Sequence, residues 1–578
     1  MNSDTWRRGR HLASSVLVVL ALASVATESA SPVEAAATAP DPISYYRDLR
    51  RARDLFARRS WAEAARLFES LVEKNAVDGG LWRDLGDCRY EQRQYLPAAE
   101  AYEKALALGF DVPRDGTYMI ACCHALTGDK EKAFAWLEKS LAAAFEERPD
   151  IGTDERLASL RDDARFPALV GRIDARLDRL TGWKSDLAFL VKEVKRLHDK
   201  YRRQPLPPEF ERGLEDLESR IARCSDERMA VEIQKLLALI GDGHTVLYPI
   251  PARLGTLKKL PIRFHAFSDG VFVIDACDEL SRWIGSRVRK VGETDVDEAL
   301  RRLEPVVSRD NAMGVRWLAP FYLGFPDVLE AVGLIERAPR VPILFSTREG
   351  RSETVVLEAT SPMERPSLPK LLPSKLPGAP PPPRYLARID DHFWFEPFDE
   401  EDSTLYFQFN HVNDTPQETL ARFLTRLSRF LDDTSVRALV LDMRHNEGGN
   451  GHLASIVARA MVRFESAGED RRLFVLTSRN TFSAAQMVIN DIDRLTNAVF
   501  VGEPSSSSPN FTGEDTTLLL PFSGLRGSIS SRSHQTDADD HRVWIAPDVP
   551  VELCSEDYFS NRDPALDAVL AIIRQPIR

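Results

Sequence analysis

The chain has 578 residues, more than one hydrophobic core supports, so several domains are expected. Its 88 acidic and 76 basic side chains give a net charge of -12, which offers no basic footprint for a nucleic-acid partner. The sequence contains no zinc-type ligand spacing and no phosphate-binding glycine loop, so neither a metal nor a cofactor is predicted.

Residues 1–37 have the pattern of a signal peptide. Basic side chains within residues 7–10 precede the apolar stretch 12–25, and small residues follow it. Cleavage between Ala30 and Ala37 would give an exported protein, periplasmic or extracellular, whereas an uncleaved segment would anchor the protein to the membrane. No membrane span is predicted beyond this segment.

Residues 44–178 show a helical repeat. Equivalent small and larger apolar residues recur after 34 and then 35 residues, as the pairs Ala64 with Phe68, Ala98 with Tyr102, and Ala133 with Leu137. Together with Trp82, Leu85 and Gly86, this pattern resembles the tetratricopeptide repeat. The resemblance implies a concave surface for a protein partner, and the alternative is a plain helical spacer.

Residues 183–255 are predicted to form a helical cap that ends in a glycine turn with His244. The turn follows the helical pattern 231–240 and precedes the strand-like pattern 246–250, so it would be anchored on both sides. A histidine in such a turn has no functional meaning by itself.

Residues 258–360 resemble, weakly, a PDZ-like α+β module. The resemblance depends on the segments Gly270–Ile274 and Gly285–Gly292, the second of which is followed by a helical pattern. An insertion at 306–338 departs from a minimal PDZ domain, which leaves a peptide-binding role open.

A proline-rich linker at 361–384 follows this module. Nine of the 36 prolines of the chain lie between Pro362 and Pro383. Such a segment is extended and semi-rigid, so it is predicted to separate two domains at a fixed reach.

The core at 385–572 contains two consecutive strand–loop–helix units. The strand pattern 438–443 leads into a loop with Gly448 and Gly449. The strand pattern 472–477 leads into the loop 478–482, after which a helix would begin at Ser483. Both loops would lie at the same edge of one sheet, where a glycine backbone and a serine hydroxyl form the geometry that acyl transfer needs.

Each of these features also has a purely structural interpretation. Ser483 followed by Gln486 has the form of a helix capping box, in which the hydroxyl only satisfies helix N–H groups. The two glycines are equally typical of an ordinary turn.

Five segments in one order resemble the tail-specific, or C-terminal-processing, serine peptidase family over about residues 185–572. They are Leu239–Thr245, Val440–Asn450, Thr481–Ala485, Val501–Pro504 and Ile545–Asp548. The resemblance implies polypeptide substrates and Ser483 as the nucleophile. The expected fold class is therefore multi-domain, with an α-helical repeat region, a PDZ-like α+β region and a crotonase-like α/β peptidase core.

The family uses either a lysine or a histidine as the base. In the lysine style the base lies in the segment matching Gly502–Ser508, which here holds serine in the lysine position, and the last lysine of the chain is Lys375. The chain therefore resembles the histidine-using branch, similar to tricorn protease, in which His244 takes the serine proton. His445 and His452 flank the glycine loop, but the resemblance gives them no role.

The group that orients the histidine is the part where this chain departs from the family. The expected glutamate falls at or next to His541, within Asp537–Trp544. Asp540, or alternatively Asp539, is predicted to accept the second N–H of His244, although both acids could equally belong to a solvated charged hairpin.

The oxyanion hole is predicted to consist of backbone N–H groups, those of Gly448 or Gly449 and of Ala484. The function that follows is an exported serine-type peptidase that forms an acyl-enzyme on Ser483, with His244 as general base. A catalytically inactive peptide-binding or scaffold protein is the alternative, because the glutamate is missing, and an esterase with the same core is a further one.

Overall fold

The computed structural model describes residues 41–110, 113–142, 151–163, 165–169, 177–363, 368–376, 378–399 and 403–575. The predicted signal segment lies outside these residues. Within them, no helix combines the length and the apolar character that a bilayer crossing requires.

The N-terminal region is made of helices that pack on their neighbours in sequence. These helices are α1 (Pro42–Ala57), α2 (Trp61–Lys74), α3 (Gly79–Glu91), α4 (Tyr95–Ala107), α5 (Pro113–Leu126), α6 (Lys130–Ala142) and the short α7 (Arg165–Leu169). Gly86 of α3 lies against Tyr102 of α4, and a Cβ at Gly86 would be 2.6 Å from the Tyr102 ring. The small and aromatic residues of the repeat pattern therefore lie where paired helices meet.

Three helices form the cap that precedes His244. They are α8 (Arg179–Leu197), α9 (Pro208–Arg220) and α10 (Asp226–Ala238), and the short strand β1 (Val246–Leu247) follows. The Ser225 hydroxyl caps α10 by accepting the Arg228 N–H at 3.0 Å, and the acidic residues Asp226 and Glu227 in the first turn suit the positive end of the helix dipole. The His244 turn lies between α10 and β1.

The middle region combines an antiparallel sheet with inserted helices. Its elements are β2 (Lys258–Lys259), β3 (Ile262–Phe267), β4 (Gly270–Ala276), β5 (Arg287–Val291), β6 (Thr294–Asp295), α11 (Val296–Leu303), α12 (Ala312–Tyr322), α13 (Pro326–Ala331), β7 (Arg340–Ser346), β8 (Ser352–Glu358) and β9 (Ser361–Pro362). The sheet order is β3-β4-β5-β7-β8, with β6 beside β5, and β2 pairs with β9. One continuous apolar cluster joins this region to the cap.

The C-terminal core is built on a six-stranded sheet of order β10-β11-β12-β13-β14-β17. Its elements are α14 (Arg384–Ala387), β10 (Phe393–Asp399), β11 (Thr404–Phe409), α15 (Leu420–Asp433), β12 (Ala438–Asp442), α16 (Ala454–Ser466), β13 (Arg472–Thr477), α17 (Ala484–Leu495), β14 (Val499–Gly502), β15 (Phe511–Leu519), β16 (Arg526–His534), β17 (Val549–Pro550), α18 (Ser555–Phe559) and α19 (Pro564–Arg574).

Strands β11, β12, β13, β14 and β17 run parallel, and β10 is antiparallel to β11. Every residue of β12 is buried, because α15, α16 and α17 cover one face of the sheet and α19 covers the other. The strands predicted at 438–443 and 472–477 are observed as β12 and β13, and the carboxyl ends of both lie at one edge.

A separate three-stranded sheet connects the cap to the core. Strands β15 and β16 form an antiparallel hairpin, and β1 adds to β16 with Val246 opposite Ser528. This pairing carries the His244 turn, which is distant in sequence, to the core.

The proline-rich linker does not hold the middle region and the core apart. The carbonyl oxygen of Pro369 accepts hydrogen bonds from Trp317 Nε1 at 2.9 Å and from Asn480 Nδ2 at 3.3 Å, and Leu371 is buried. The linker is therefore packed against both regions instead of acting as a free spacer.

Candidate functional site

Ser483 occupies a strained position at the start of α17. Its φ of +58° and ψ of -125° lie in a region that L-residues rarely adopt. Its N–H donates to Ser507 Oγ at 3.1 Å, and its carbonyl accepts the Gln486 N–H at 2.8 Å. The hydroxyl makes no capping bond, so the capping-box interpretation is wrong.

The hydroxyl of Ser483 instead meets His244. The distance from Ser483 Oγ to His244 Nε2 is 2.9 Å, a hydrogen-bond distance. Ser483 is half-buried, whereas its neighbours Phe482 and Ala484 are buried, so the hydroxyl is the accessible part of this turn.

The loop that holds Ser483 is attached to the glycine loop. Thr481 Oγ1 donates to the carbonyl oxygen of Met443 at 3.0 Å, and the Phe482 N–H donates to the carbonyl oxygen of Asn446 at 3.1 Å. These bonds fix the two strand–helix turns relative to each other.

Asp242 shapes the turn of His244. Its Oδ1 accepts the N–H groups of His244 at 2.9 Å and Thr245 at 2.6 Å, and its Oδ2 lies 2.9 Å from His198 Nε2. Burial alone would raise the pKa of Asp242, but hydrogen bonds from His198 and Ser530 hold it below its ordinary value. An ionised carboxylate therefore anchors the turn.

The imidazole of His244 packs between aromatic neighbours in nearly parallel geometry. Its ring lies 4.5 Å from the Phe482 ring at 21° and 5.8 Å from the Phe511 ring at 17°. The His244 side chain is buried, with 7% of the residue exposed. These contacts restrict the ring to the orientation that presents Nε2 to Ser483.

Gly448 allows the glycine loop to approach the serine turn. With φ of +107°, a Cβ at this position would lie 2.7 Å from Ser483 Cβ and 2.9 Å from the Ala484 nitrogen. A side chain at Gly448 would therefore displace the serine turn.

The structure distinguishes between the two glycines as N–H donors. The Gly448 N–H donates to Asn446 Oδ1 at 3.0 Å and is occupied. Among the residues that the structure describes, the N–H groups of Gly449 and Ala484 have no acceptor. Of the predicted oxyanion donors, Gly449 and Ala484 are the two that remain free.

The expected bond from His244 to Asp540 or Asp539 is not formed, which corrects that assignment. Asp540 accepts from Arg542 Nε at 3.0 Å, and this contact is the main cause that lowers the pKa of Asp540. His244 Nδ1 is buried and has no hydrogen-bond partner within the described part of the chain. Arg542, two residues away, thus neutralises Asp540 in the loop between β16 and β17.

A lysine from the linker reaches the glycine loop but not Ser483. Lys370 Nζ lies 2.9 Å from His411 Nε2 and 3.1 Å from Glu447 Oε1. Glu447 directly precedes Gly448, so Lys370 supports the loop. The histidines that flank the glycine loop do not contact Ser483. His445 stacks on Tyr385 with ring centroids 5.6 Å apart, and His452 is exposed.

The sequence patterns did not identify the residues that support the Ser483–His244 pair. Asp242 lies inside the motif that contains His244, so its position could have been noticed. Ser507 lies in a run of serines that gives no sign of which hydroxyl meets Ser483, and Asp310, described below, carries no motif at all.

The arrangement has the parts that acyl transfer requires. A hydroxyl lies within hydrogen-bond distance of an imidazole nitrogen, next to two free backbone N–H groups. The imidazole can accept the hydroxyl proton, and the N–H groups can stabilise a developing oxyanion. No cluster of three or more metal-ligating side chains occurs among the described residues.

Comparison with known proteins matches one segment of the chain to a family model. Residues 49–113 match the tetratricopeptide repeat family model. No curated protein matches the chain.

Several solved structures are similar to the chain. Mature CPAF complexed with lactacystin has 12% sequence identity and a TM-score of 0.50, and the match covers 68% of this chain and 98% of that one. The photosystem II D1 C-terminal processing protease has 14% identity and a TM-score of 0.33, covering 69% and 98%. PcrH in complex with the chaperone-binding region of PopD has 20% identity and a TM-score of 0.17, covering 22% and 90%. The fold that follows the helical repeats thus resembles that of CPAF.

Proposed function

We propose that this chain is a serine-type peptidase of the tail-specific kind, in the branch that uses histidine as the base. The observation that carries the proposal is the 2.9 Å contact between Ser483 Oγ and His244 Nε2, formed beside the free amides of Gly449 and Ala484. The geometry of the pair also opposes a catalytically inactive scaffold, because a decayed site would have no reason to retain a strained Ser483.

The reaction proceeds in two halves. Ser483 Oγ attacks the carbonyl carbon of a peptide bond while its proton passes to His244 Nε2, and the Gly449 and Ala484 N–H groups bind the resulting oxyanion. When the C–N bond breaks, His244 returns the proton to the leaving amine and leaves an acyl ester on Ser483. Water, deprotonated by His244, then hydrolyses the ester and restores the hydroxyl.

The remaining regions are assigned by the same proposal. The repeat region 44–178 binds a protein partner, the cap 183–255 delivers His244, and the module 258–360 is PDZ-like. Residues 361–384 form the linker, and 385–572 form a crotonase-like peptidase core. The substrates are polypeptides, and residues 1–37 direct export to the periplasm or the extracellular space, or anchor the protein there.

A fluorophosphonate probe tests the nucleophile directly, because it phosphonylates an activated serine. We expect mass spectrometry to locate the label on Ser483, and we expect Ser483→Ala and His244→Gln to lower labelling and casein cleavage by a factor on the order of 10³ or more. Ser508→Ala removes a hydroxyl that bonds the Val543 carbonyl and should leave labelling unchanged.

Three outcomes would change the proposal. A wild-type protein that neither labels nor cleaves casein would be a scaffold. A protein that labels and hydrolyses only esters would be an esterase. Full activity in Ser483→Ala would place the nucleophile elsewhere.

A further inference from the structure

A short segment of the middle region lies between the His244 turn and the serine run of the core. Ser308 Oγ donates to the carbonyl oxygen of Thr245 at 2.6 Å, and Asn311 Nδ2 donates to the carbonyl oxygen of Ser505 at 3.2 Å. The segment 308–311 therefore touches both the turn that carries the base and the loop that supports the nucleophile.

Asp310 is the acidic residue of this segment, and the adjacent Arg309 pairs with Glu304 at 2.6 Å. Its Oδ1 accepts the Gly243 N–H at 2.7 Å, directly before His244. The Ser507 hydroxyl stabilises the ionised form of Asp310, and Ser507 Oγ also accepts the Ser483 N–H at 3.1 Å. Asp310 thus bonds the backbone directly before His244 and lies close to the serine whose hydroxyl accepts the Ser483 N–H.

Two buried polar atoms at this place have no hydrogen-bond partner within the described residues, Asp310 Oδ2 and His244 Nδ1. Leaving such atoms unpaired costs stability, so their retention needs a reason. Burial raises the pKa of Asp310 to about 6, and the positively charged form of His244 acts in the opposite direction. Near neutral pH, Asp310 is mainly a buried anion whose electrostatic partner is His244.

The other charged groups near His244 are either paired or exposed to solvent. Asp242 is bonded to His198 and to backbone N–H groups, and His534 Nε2 lies 3.5 Å from Glu514 Oε2. Asp515, which also interacts with His244, is exposed to solvent. Asp310 forms no ion pair with any residue that the structure describes, which leaves its charge available to His244.

We propose that Asp310 is the positioning carboxylate of this site, which fixes the Gly243–His244 turn and stabilises the imidazolium formed when His244 takes the Ser483 proton. This inference rests on the proposed function. It gives Asp310 the role that the sequence pattern had suggested for Asp540.

The test uses Asp310→Asn in the full chain, because asparagine keeps an acceptor for the Gly243 N–H and removes only the charge. We expect the rate of fluorophosphonate labelling to fall at least tenfold. We also expect the NMR titration midpoint of His244, identified as the signal missing in His244→Gln, to move to lower pH. Asp310→Glu, which keeps the charge, should retain the wild-type midpoint.

A stability measurement separates this role from a structural one. A carboxyl group whose pKa is raised on folding favours the folded state below about pH 4, and this contribution is lost as the pH rises through about 6. Asp310→Asn should therefore unfold at an equal or higher temperature than wild type at pH 8. Asp540→Asn is the matched control and should change neither labelling nor the His244 titration.

An unchanged His244 titration in Asp310→Asn would overturn the inference. If the wild type reacts with the probe, an Asp310→Asn variant that is labelled at the same rate would overturn it as well. If the wild type takes up no probe, the proposed peptidase function fails, and the His244 titration alone decides the role of Asp310. If Asp310→Asn does not fold, Asp310→Ser provides a second neutral variant for the same two measurements.

Discussion

At the scale of single residues, Ser483 shows how function and stability oppose each other. Its backbone is held at φ +58° by the hydrogen bonds of its N–H and C=O groups, and Gly448 packs closely against it. A non-glycine residue in such a conformation costs about 1–3 kcal/mol. The conformation projects the hydroxyl away from the helix and toward His244.

This strain predicts a difference between two inactive variants. Ser483→Gly and Ser483→Ala both lose the hydroxyl, but only glycine adopts the positive φ without strain. Glycine relieves the backbone strain of the folded state, but its greater conformational entropy in the unfolded chain offsets part of that gain. The free energy of unfolding should therefore be higher for Ser483→Gly than for Ser483→Ala by about 1 kcal/mol. Urea unfolding of the two variants measures the difference, and equal midpoints would show that the turn is not strained.

At the scale of elements, a buried charge network holds the loop after β12. Arg444 pairs with Asp442 at 2.6 Å and with Asp563 at 2.7 Å, and Asp563 caps α19 by accepting the Leu566 N–H at 3.1 Å. The Arg444 side chain also lies over the Tyr385 ring, 4.2 Å from its centroid. The glycine loop is thereby attached to the helix on the far face of the sheet.

Removing this arginine should destabilise the core strongly. Arg444→Met leaves Asp442 and Asp563 buried without a cation, at a cost of about 3–5 kcal/mol at pH 7. In wild type, burial would raise the pKa of Asp442 but Arg444 holds it low, so the carboxylate stabilises the fold above about pH 4. In Arg444→Met the pKa of Asp442 rises, because the buried carboxylate has lost its cation. The stability difference between this variant and the wild type should therefore become smaller as the pH falls from 7 to 5.

Arg472→Met is the matched control for this prediction. Arg472 Nη2 donates to the carbonyl oxygen of Ile573 at 2.8 Å, at the other end of α19, and its removal strands no carboxylate. We expect Arg472→Met to lose less unfolding free energy than Arg444→Met, and we expect that loss not to vary with pH. Equal losses in the two variants would show that the network contributes no more than ordinary hydrogen bonds.

At the scale of the whole molecule, a buried ion pair of the core also contacts the middle region. Arg479 and Glu503 pair within the core, and Arg479 Nη1 also donates to the carbonyl oxygen of Ala266 in the middle region at 2.9 Å. Arg479 lies in the loop that leads to Ser483. The interface between regions is therefore connected to the serine turn.

The pair predicts part of the acid sensitivity of the protein. Burial would raise the pKa of Glu503, but Arg479 outweighs it and holds the pKa at about 2. A depressed carboxyl pKa stabilises the fold above the unfolded value, about 4.5, and the contribution is lost as the pH falls toward 2. Between pH 5 and 3 this loss should amount to about 2 kcal/mol.

Glu503→Gln should therefore be less stable than wild type at pH 7 and should lose less stability between pH 5 and 3. Unfolding by urea at several pH values measures both effects. Glu552→Gln, which removes an exposed pair with Arg316 across the same interface, should change stability by less than about 1 kcal/mol. Parallel pH profiles for wild type and Glu503→Gln would contradict the prediction.

The sequence determined the local elements of the site, because they depend on short-range patterns. The strand residues 438–442 and 472–477, the glycine loop between them and a helix directly after Ser483 all follow from apolar runs broken by glycine and polar residues. The repeat pattern likewise placed Gly86 against Tyr102, since small and aromatic residues alternate where helices meet.

The contacts that join these elements were decided only by tertiary structure. Ser483 and His244 are 239 residues apart and meet because β1 pairs with β16, a register that no local pattern specifies. Long-range packing also brought Asp310 to the His244 turn, whereas Asp540 pairs locally with Arg542 and stays away from His244. Tertiary packing of separate segments decides which carboxylate lies next to the histidine, and the spacing of residues along the chain does not predict that packing.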